Sequence, residues 1–94
     1  MNIESYATTI VEKIGKANLN NVLKISDEVG VDNFEELALG IIRKSADNVD
    51  KNPQKSESII YIVTRYLNMY RAEFFYNKQM IIDSCMLELC IAMR

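Results

Sequence analysis

The stretch from Ser58 to Tyr76, SIIYIVTRYLNMYRAEFFY, constrains the fold of this chain more than any other feature. At about 100° per residue on a helix, its apolar side chains cover roughly 200° of the circumference, which is wider than the stripe of an ordinary surface helix. Such a helix needs neighbours on two sides, so the pattern predicts a long central helix over about residues 58–76. The apolar positions are Ile59, Ile60, Ile62, Val63, Tyr66, Leu67, Met69, Tyr70, Phe74 and Tyr76.

The remaining arc of this predicted helix is the most informative exposed surface in the sequence. Tyr and Arg are over-represented among binding hot spots because they combine flat apolar area with directed hydrogen bonds. We therefore interpret this arc as a partner-binding strip. The alternative interpretation is an ordinary solvated face that carries two aromatic residues by chance. The strip comprises Tyr61, Arg65, Asn68, Arg71 and, at its edge, Phe75.

Amphipathic helices are also predicted before this stretch. Apolar residues from Ile3 to Ile14 recur at helical spacing, and this first helix ends at Gly15. A second helix is predicted to begin at a cap formed by Asn18 and to end at Gly30, in a left-handed conformation. Each of these helices offers one apolar stripe to the core.

A third helix is predicted to open at a capping box formed by Asp32 and Glu35. Gly40 lies inside it, where glycine costs about 1 kcal/mol relative to alanine. We therefore expect another helix to approach closely at Gly40. The N-terminal helices together are predicted to span residues 3–49.

The C-terminal half is predicted to begin after a linker over residues 50–57, which contains the only proline and no large aliphatic residue. Past Asn77 the direction of the apolar face rotates by about 90°. This rotation favours a break capped by Asn77 over one unbroken helix. The sequence thus predicts a helical hairpin or a kinked helix over residues 58–93, with a final helix that is apolar nearly all round.

These elements predict one all-α domain over residues 1–94, a small bundle of four or five helices. In a bundle of this size, the first three helices can cover the central helix but leave part of the final helix bare. Exposed apolar patches of that kind usually mark interfaces, and in a symmetric dimer one patch meets its own copy. We therefore predict a homodimer. Its predicted contact residues are Met86, Leu87, Cys90 and Met93.

Few residues in the sequence are suited to catalysis or metal binding. The chain has no histidine, which removes the commonest general base and the usual zinc ligand. It also has no phosphate-binding glycine loop, zinc-protease motif or EF-hand loop. Cys85 and Cys90 lie about 140° apart on a helix, so we interpret them as buried reduced thiols, with an intermolecular disulfide as the alternative. We expect a non-enzymatic protein without a cofactor or a metal site.

Charge and targeting features indicate a cytoplasmic protein without a membrane span. The net charge of −2 is far from the basic balance of a general nucleic-acid binder. Charged residues interrupt every window long enough to span a membrane, and the first residues lack the apolar region of a secretory signal. The richness in Asn, Ile and Lys is typical of AT-rich coding sequences, such as those of phages and mobile elements.

Two functions fit these features. The favoured one is a small protein-interaction module that acts as inhibitor, adaptor or regulator by occupying a partner's surface. The alternative is nucleic-acid or nucleotide binding, in which cationic side chains contact phosphates while Tyr61 or Phe75 stacks on bases. The cations of that alternative are Arg65, Arg71 and Lys78.

Overall fold

The computed structural model describes residues 2–13, 19–72 and 77–93. Within these ranges the chain forms five α-helices and one short 3-10 turn, with no strand. This confirms the predicted all-α bundle. The helices are α1 (Ile3–Lys13), α2 (Leu19–Val29), α3 (Phe34–Asp47), α4 (Pro53–Ala72) and α5 (Lys78–Ala92), and the 3-10 turn is Val31–Asn33.

The helices pack in a connected series around one core. Helix α1 packs on α3, α3 packs on α4, α4 packs on α5, and α5 closes the series by packing on α2. The short connection between α4 and α5 makes them antiparallel neighbours, as in other helical hairpins. All five helices contribute to the core. Its largest fully buried side chains include Ile10, Val22, Phe34, Leu37, Ile41, Ile59, Val63, Met86 and Leu89.

Gly40 marks a close approach between α1 and α3. A Cβ atom placed on Gly40 would lie 3.0 Å from the Cβ of Ala7, whereas carbon atoms pack best at about 3.5–4.0 Å. Ala7 is fully buried, so it has no room to move aside. The expected close approach at Gly40 is confirmed, because even a single added carbon would lie closer to Ala7 than carbon atoms ordinarily pack.

Helix α3 does not begin at the predicted capping box. Asp32 lies in the 3-10 turn, and α3 starts at Phe34 without a side-chain capping hydrogen bond. Instead, the side chain of Asn33 donates a hydrogen bond to the carbonyl oxygen of Val29, 2.9 Å away. Gly30 has the predicted positive φ of 86°, but its ψ of 158° makes the chain extended rather than left-handed helical. This turn directs Asn33 back to the end of α2, so it closes one helix and does not cap the next.

Helix α4 begins at Pro53 rather than at the predicted Ser58. The backbone N–H of Lys55 donates to the side-chain oxygen of Asn52 at 3.2 Å, in the manner of a helix cap. Proline is favoured at the first position of a helix because the N–H that it lacks has no partner there. The predicted linker 50–57 is therefore too long, since an Asn-Pro pair starts a helix as readily as it interrupts one.

Asn77 separates α4 from α5. Its backbone is extended, with φ −66° and ψ 120°, and its side chain accepts hydrogen bonds from the backbone N–H groups of Gln79 and Met80. The predicted break at Asn77 is confirmed, and one unbroken helix is excluded. The predicted positions that lie outside the described residues are Ile14, Gly15, Asn18, Phe74, Phe75 and Tyr76.

Helix α5 is buried on one side and bare on the other. Met86 is fully buried and Cys90 is 5% exposed, so neither belongs to an exposed self-association patch, contrary to the sequence prediction. Leu87 is exposed, and Met93 is partly buried against the core. The prediction misplaced the patch because a helix that is apolar nearly all round marks its own inner face only weakly.

The two cysteines of α5 are buried reduced thiols, as predicted. Burial raises the pKa of the Cys85 thiol to about 12, with the nearby Glu88 carboxylate as a second cause. A thiol with such a raised pKa stays protonated at neutral pH, and the thiolate is the reactive form. Cys85 therefore acts as a small apolar core residue.

Candidate protein-binding surface

The outer face of α4 carries the strip that the sequence predicts. Tyr61 is 67% exposed, Asn68 and Arg71 are exposed, and Arg65 is half-buried. Phe75 lies outside the described residues. Tyr61, Arg65 and Asn68 occupy successive turns on one side of the helix, and all three line the same groove. The structure therefore brings together three of the five predicted residues.

This groove is open and has a volume of about 590 Å³. Small-molecule sites of similar size bury most of the ligand surface between several elements. Here, the lining residues that the structure describes all belong to α4, and one helix cannot enclose a ligand. The groove is therefore better suited to side chains of an apposed protein segment. Its lining residues are Glu57, Ile60, Tyr61, Thr64, Arg65 and Asn68.

Arg65 is held in place at the boundary between α4 and α5. Its guanidinium forms an ion pair with Glu88. The guanidinium carbon also lies 5.6 Å from the ring centre of Tyr61 and 5.2 Å from that of Tyr66, within the range of cation–π attraction. Sequence analysis did not identify Glu88 and Tyr66 as members of this site. A side chain fixed in this way loses little further freedom when a partner binds.

The electrostatics of this cluster keep it neutral overall. Hydrogen bonds from Tyr66 and Arg65 lower the pKa of the Glu88 carboxyl below its ordinary value. The hydrogen bond to Glu88 also raises the pKa of Arg65 and of Tyr66. At neutral pH, Glu88 is therefore ionised and compensates the charge of Arg65, so the groove does not present a bare cation.

The other two cations of the predicted strip are engaged elsewhere. Arg71 donates from its Nε atom to Glu35 on α3, and it does not line the groove. The Nζ atom of Lys78 lies 4.6 Å from the ring centre of Tyr70, near the turn of the hairpin. The structure therefore does not assemble the three cations into one phosphate-binding row.

A second exposed apolar surface lies on α5, and its residues differ from the predicted set. Met80 is 67% exposed, Leu87 is 41% exposed and Ile91 is 53% exposed. Together with the exposed Ser84, they recur at i, i+4, i+7 and i+11, so they form one straight row opposite the buried face. We call this row the α5 strip. Ser84, with Asp83 and Glu88 on the flanks of the row, is the sequence signal that marks this side as the outer one.

Two further properties of the described residues bear on function. No three His, Cys, Asp or Glu side chains among them are grouped so as to hold a metal ion. None of the described helices has both the length and the apolar character that a membrane crossing requires.

Comparisons with protein-family models, curated proteins and solved structures gave no match. The functional interpretation therefore depends on the geometry of the two surfaces.

Proposed function

We propose that this protein is a small, non-enzymatic interaction module that binds a protein partner through the groove on α4. It acts as inhibitor, adaptor or regulator by occupying the partner's surface. The observation that supports this most is the exposed Tyr61 beside a guanidinium that Glu88 already holds in place. Ordered Tyr and Arg side chains bind at a low entropic cost and are typical of hot spots. A cytoplasmic location and a phage or mobile-element origin belong to the same proposal and are supported by composition alone.

The groove also favours one kind of partner. Ile60 and Tyr61 supply apolar area, while Thr64 and Asn68 supply hydrogen-bonding groups. Among the described residues, Glu57 at one end of the groove has no ion-pair partner. The complementary segment is an amphipathic helix that lays apolar side chains along the groove and places a Lys or Arg at Glu57.

The test is a pull-down from host extract with wild-type protein, followed by titration of the captured partner against purified variants. Tyr61→Ala should weaken binding by about 30-fold or more, which corresponds to a hot-spot loss of about 2 kcal/mol. Asn68→Ala should weaken binding less. Asn20→Ala, which removes an exposed Asn on α2, is the matched control and should leave binding unchanged. A partner that binds wild type and Tyr61→Ala equally well would contradict the proposal.

The alternative is nucleic-acid binding, which we favour less because Arg65, Arg71 and Lys78 each have a partner within the chain. A direct test is fluorescence polarisation with labelled single-stranded RNA and DNA at low and high salt. Binding through phosphates would weaken steeply as salt rises. We expect no binding at either salt concentration.

We propose in addition that the chain forms a homodimer. Exposed apolar rows larger than isolated surface residues usually mark an interface. The α5 strip supports the dimer in place of the predicted patch, whose residues Met86 and Cys90 are buried. Sedimentation equilibrium of the wild-type protein at high micromolar concentration should report a mass that approaches twice that of the monomer.

A further inference from the structure

The α5 strip is symmetric along the helix. Its midpoint lies between positions 85 and 86. Met80 and Ile91 stand at equal distances on either side of that midpoint, and so do Ser84 and Leu87. In an antiparallel pair of such helices with a two-fold axis at the midpoint, Met80 of one copy faces Ile91 of the other. Ser84 then faces Leu87, so the smallest side chain of the strip leaves room for a large one.

We infer that the α5 strip is the contact surface of a symmetric dimer, in which α5 packs antiparallel on α5 of a second copy. This inference rests on the homodimer of the proposed function and names its surface and its symmetry. A two-fold axis makes one patch meet itself, so only a self-complementary row can form such a contact. The equal spacing of the strip satisfies that condition, whereas a different partner would not require it.

The charges beside the α5 strip are also compatible with a second copy. Asp83 on one flank accepts a hydrogen bond from Gln79 at 2.9 Å, and Glu88 on the other flank is paired with Arg65. Like charges that face each other across an interface oppose association. Here, both carboxylates are engaged within their own chain, and the four positions of the strip carry no charge.

The apolar area of the α5 strip sets the expected strength of the dimer. If a large side chain offers about 200 Å², the exposed parts of Met80, Leu87 and Ile91 amount to roughly 320 Å² per copy. A standard interface buries about 800 Å² per partner. The dimer is therefore expected to dissociate in the micromolar range rather than to be obligate.

In the two-fold arrangement, the distance between equivalent residues of the two copies depends on their position in α5. Engineered disulfides can test these distances. With a rise of 1.5 Å per residue, the two Ser84 positions are offset along the helix axes by about 4.5 Å, and the two Met80 positions by about 16 Å. A disulfide requires Cα atoms about 4.4–6.8 Å apart. A cysteine at position 84 can therefore cross-link to its own copy, whereas a cysteine at position 80 can cross-link only to one at position 91.

The experiment uses the full chain with Ser84→Cys, Met80→Cys or Ile91→Cys, treated with copper phenanthroline and resolved on a non-reducing gel. Ser84→Cys should form a covalent dimer. Met80→Cys and Ile91→Cys should each remain monomeric alone and should cross-link when mixed. Wild type is the control, because the buried Cys85 and Cys90 should not react. Circular dichroism confirms that each variant is folded.

Sedimentation equilibrium of wild type separates the ways in which the inference can fail. A monomer at high micromolar concentration would overturn both the homodimer and this surface. A dimer in which Ser84→Cys does not cross-link, or in which Met80→Cys cross-links to itself, would overturn the antiparallel strip and leave the homodimer standing. The expected combination is a wild-type dimer with cross-linking only at position 84 and between positions 80 and 91.

Discussion

Met86 and Leu87 are neighbours with similar apolar character, yet Met86 is fully buried and Leu87 is 41% exposed. They represent the two faces of α5, of which one packs in the core and the other lies open. In α1 and α3, by contrast, a single apolar stripe shows from the sequence which side is buried. The difference teaches that a helix with few polar residues marks its buried face only weakly, so the neighbouring helices decide which of its apolar residues are buried.

The contrast between the two faces of α5 predicts a large difference between two adjacent truncations. Met86→Ala should lower the free energy of unfolding by about 2–5 kcal/mol, because it leaves a cavity in the core. Leu87→Ala should lower it by less than about 1 kcal/mol, since surface changes usually have small effects. Urea unfolding at a concentration low enough to keep the protein monomeric measures both. Equal losses would show that the two faces of α5 are not distinct in the monomer.

A second prediction compares α5 with the close contact between α1 and α3. Gly40→Ala should destabilise the protein by up to about 2 kcal/mol, because strain of about 1–3 kcal/mol from a methyl group 3.0 Å from the Cβ of Ala7 is partly offset by the gain of about 1 kcal/mol in helix propensity. The double variant Ala7→Gly/Gly40→Ala should recover part of that loss, and a double-mutant cycle from thermal or urea unfolding measures the coupling. Additive effects would mean that the two helices adjust without strain.

A third prediction uses two tyrosines on opposite faces of α4. The hydroxyl group of Tyr70 donates to the carbonyl oxygen of Val31 at 2.8 Å, and its ring packs 5.1 Å from that of Phe34. Tyr70→Phe should therefore cost about 0.5–1.5 kcal/mol, the typical value of one hydrogen bond. Tyr61→Phe should leave the free energy of unfolding unchanged, because Tyr61 is on the outer face. A loss at Tyr61 as large as that at Tyr70 would contradict this assignment.

The smallest expected effect concerns Glu88, at the border between the two faces. Its pKa is lower in the folded protein than in the unfolded chain, so its contribution to stability is present above the unfolded pKa of about 4.3 and is lost as pH falls through the folded pKa. Glu88→Gln should cost at most about 1 kcal/mol at pH 7, because the pair is about one-third exposed and screened by solvent. The difference from wild type should shrink at pH 3. A difference of equal size at both pH values would exclude an electrostatic origin.

Local signals allowed much of the fold to be predicted from the sequence. Gly40 and Asn77 were identified correctly because a glycine inside a helix and an asparagine at an apolar phase change each have few physical explanations. The starts of α3 and α4 were misplaced because an acidic turn and an Asn-Pro pair each fit more than one local structure. The choice depends on how the chain turns at Gly30 and Pro53, which tertiary packing decides.

Part of the candidate site was also predictable from the sequence, and part was not. Helical periodicity alone placed Tyr61, Arg65 and Asn68 on one face, and the structure groups them in one groove. Periodicity could not find the partners of the arginines, because Glu88 and Glu35 lie 23 and 36 residues away from them in sequence. Contacts at such separations depend on which helices become neighbours.

The proposal that the α5 strip is a dimer interface is tested most directly by sedimentation equilibrium of two matched variants, Leu87→Glu and Leu39→Glu. Leu39 on α3 is 42% exposed, almost the same as Leu87, and α3 packs mainly on α1 and α4. At a micromolar concentration where wild type is dimeric, Leu87→Glu should sediment as a monomer and Leu39→Glu as a dimer. Circular dichroism should show both variants to be helical. A Leu87→Glu variant that stays dimeric, or equal loss of the dimer in both variants, would contradict an interface at the α5 strip.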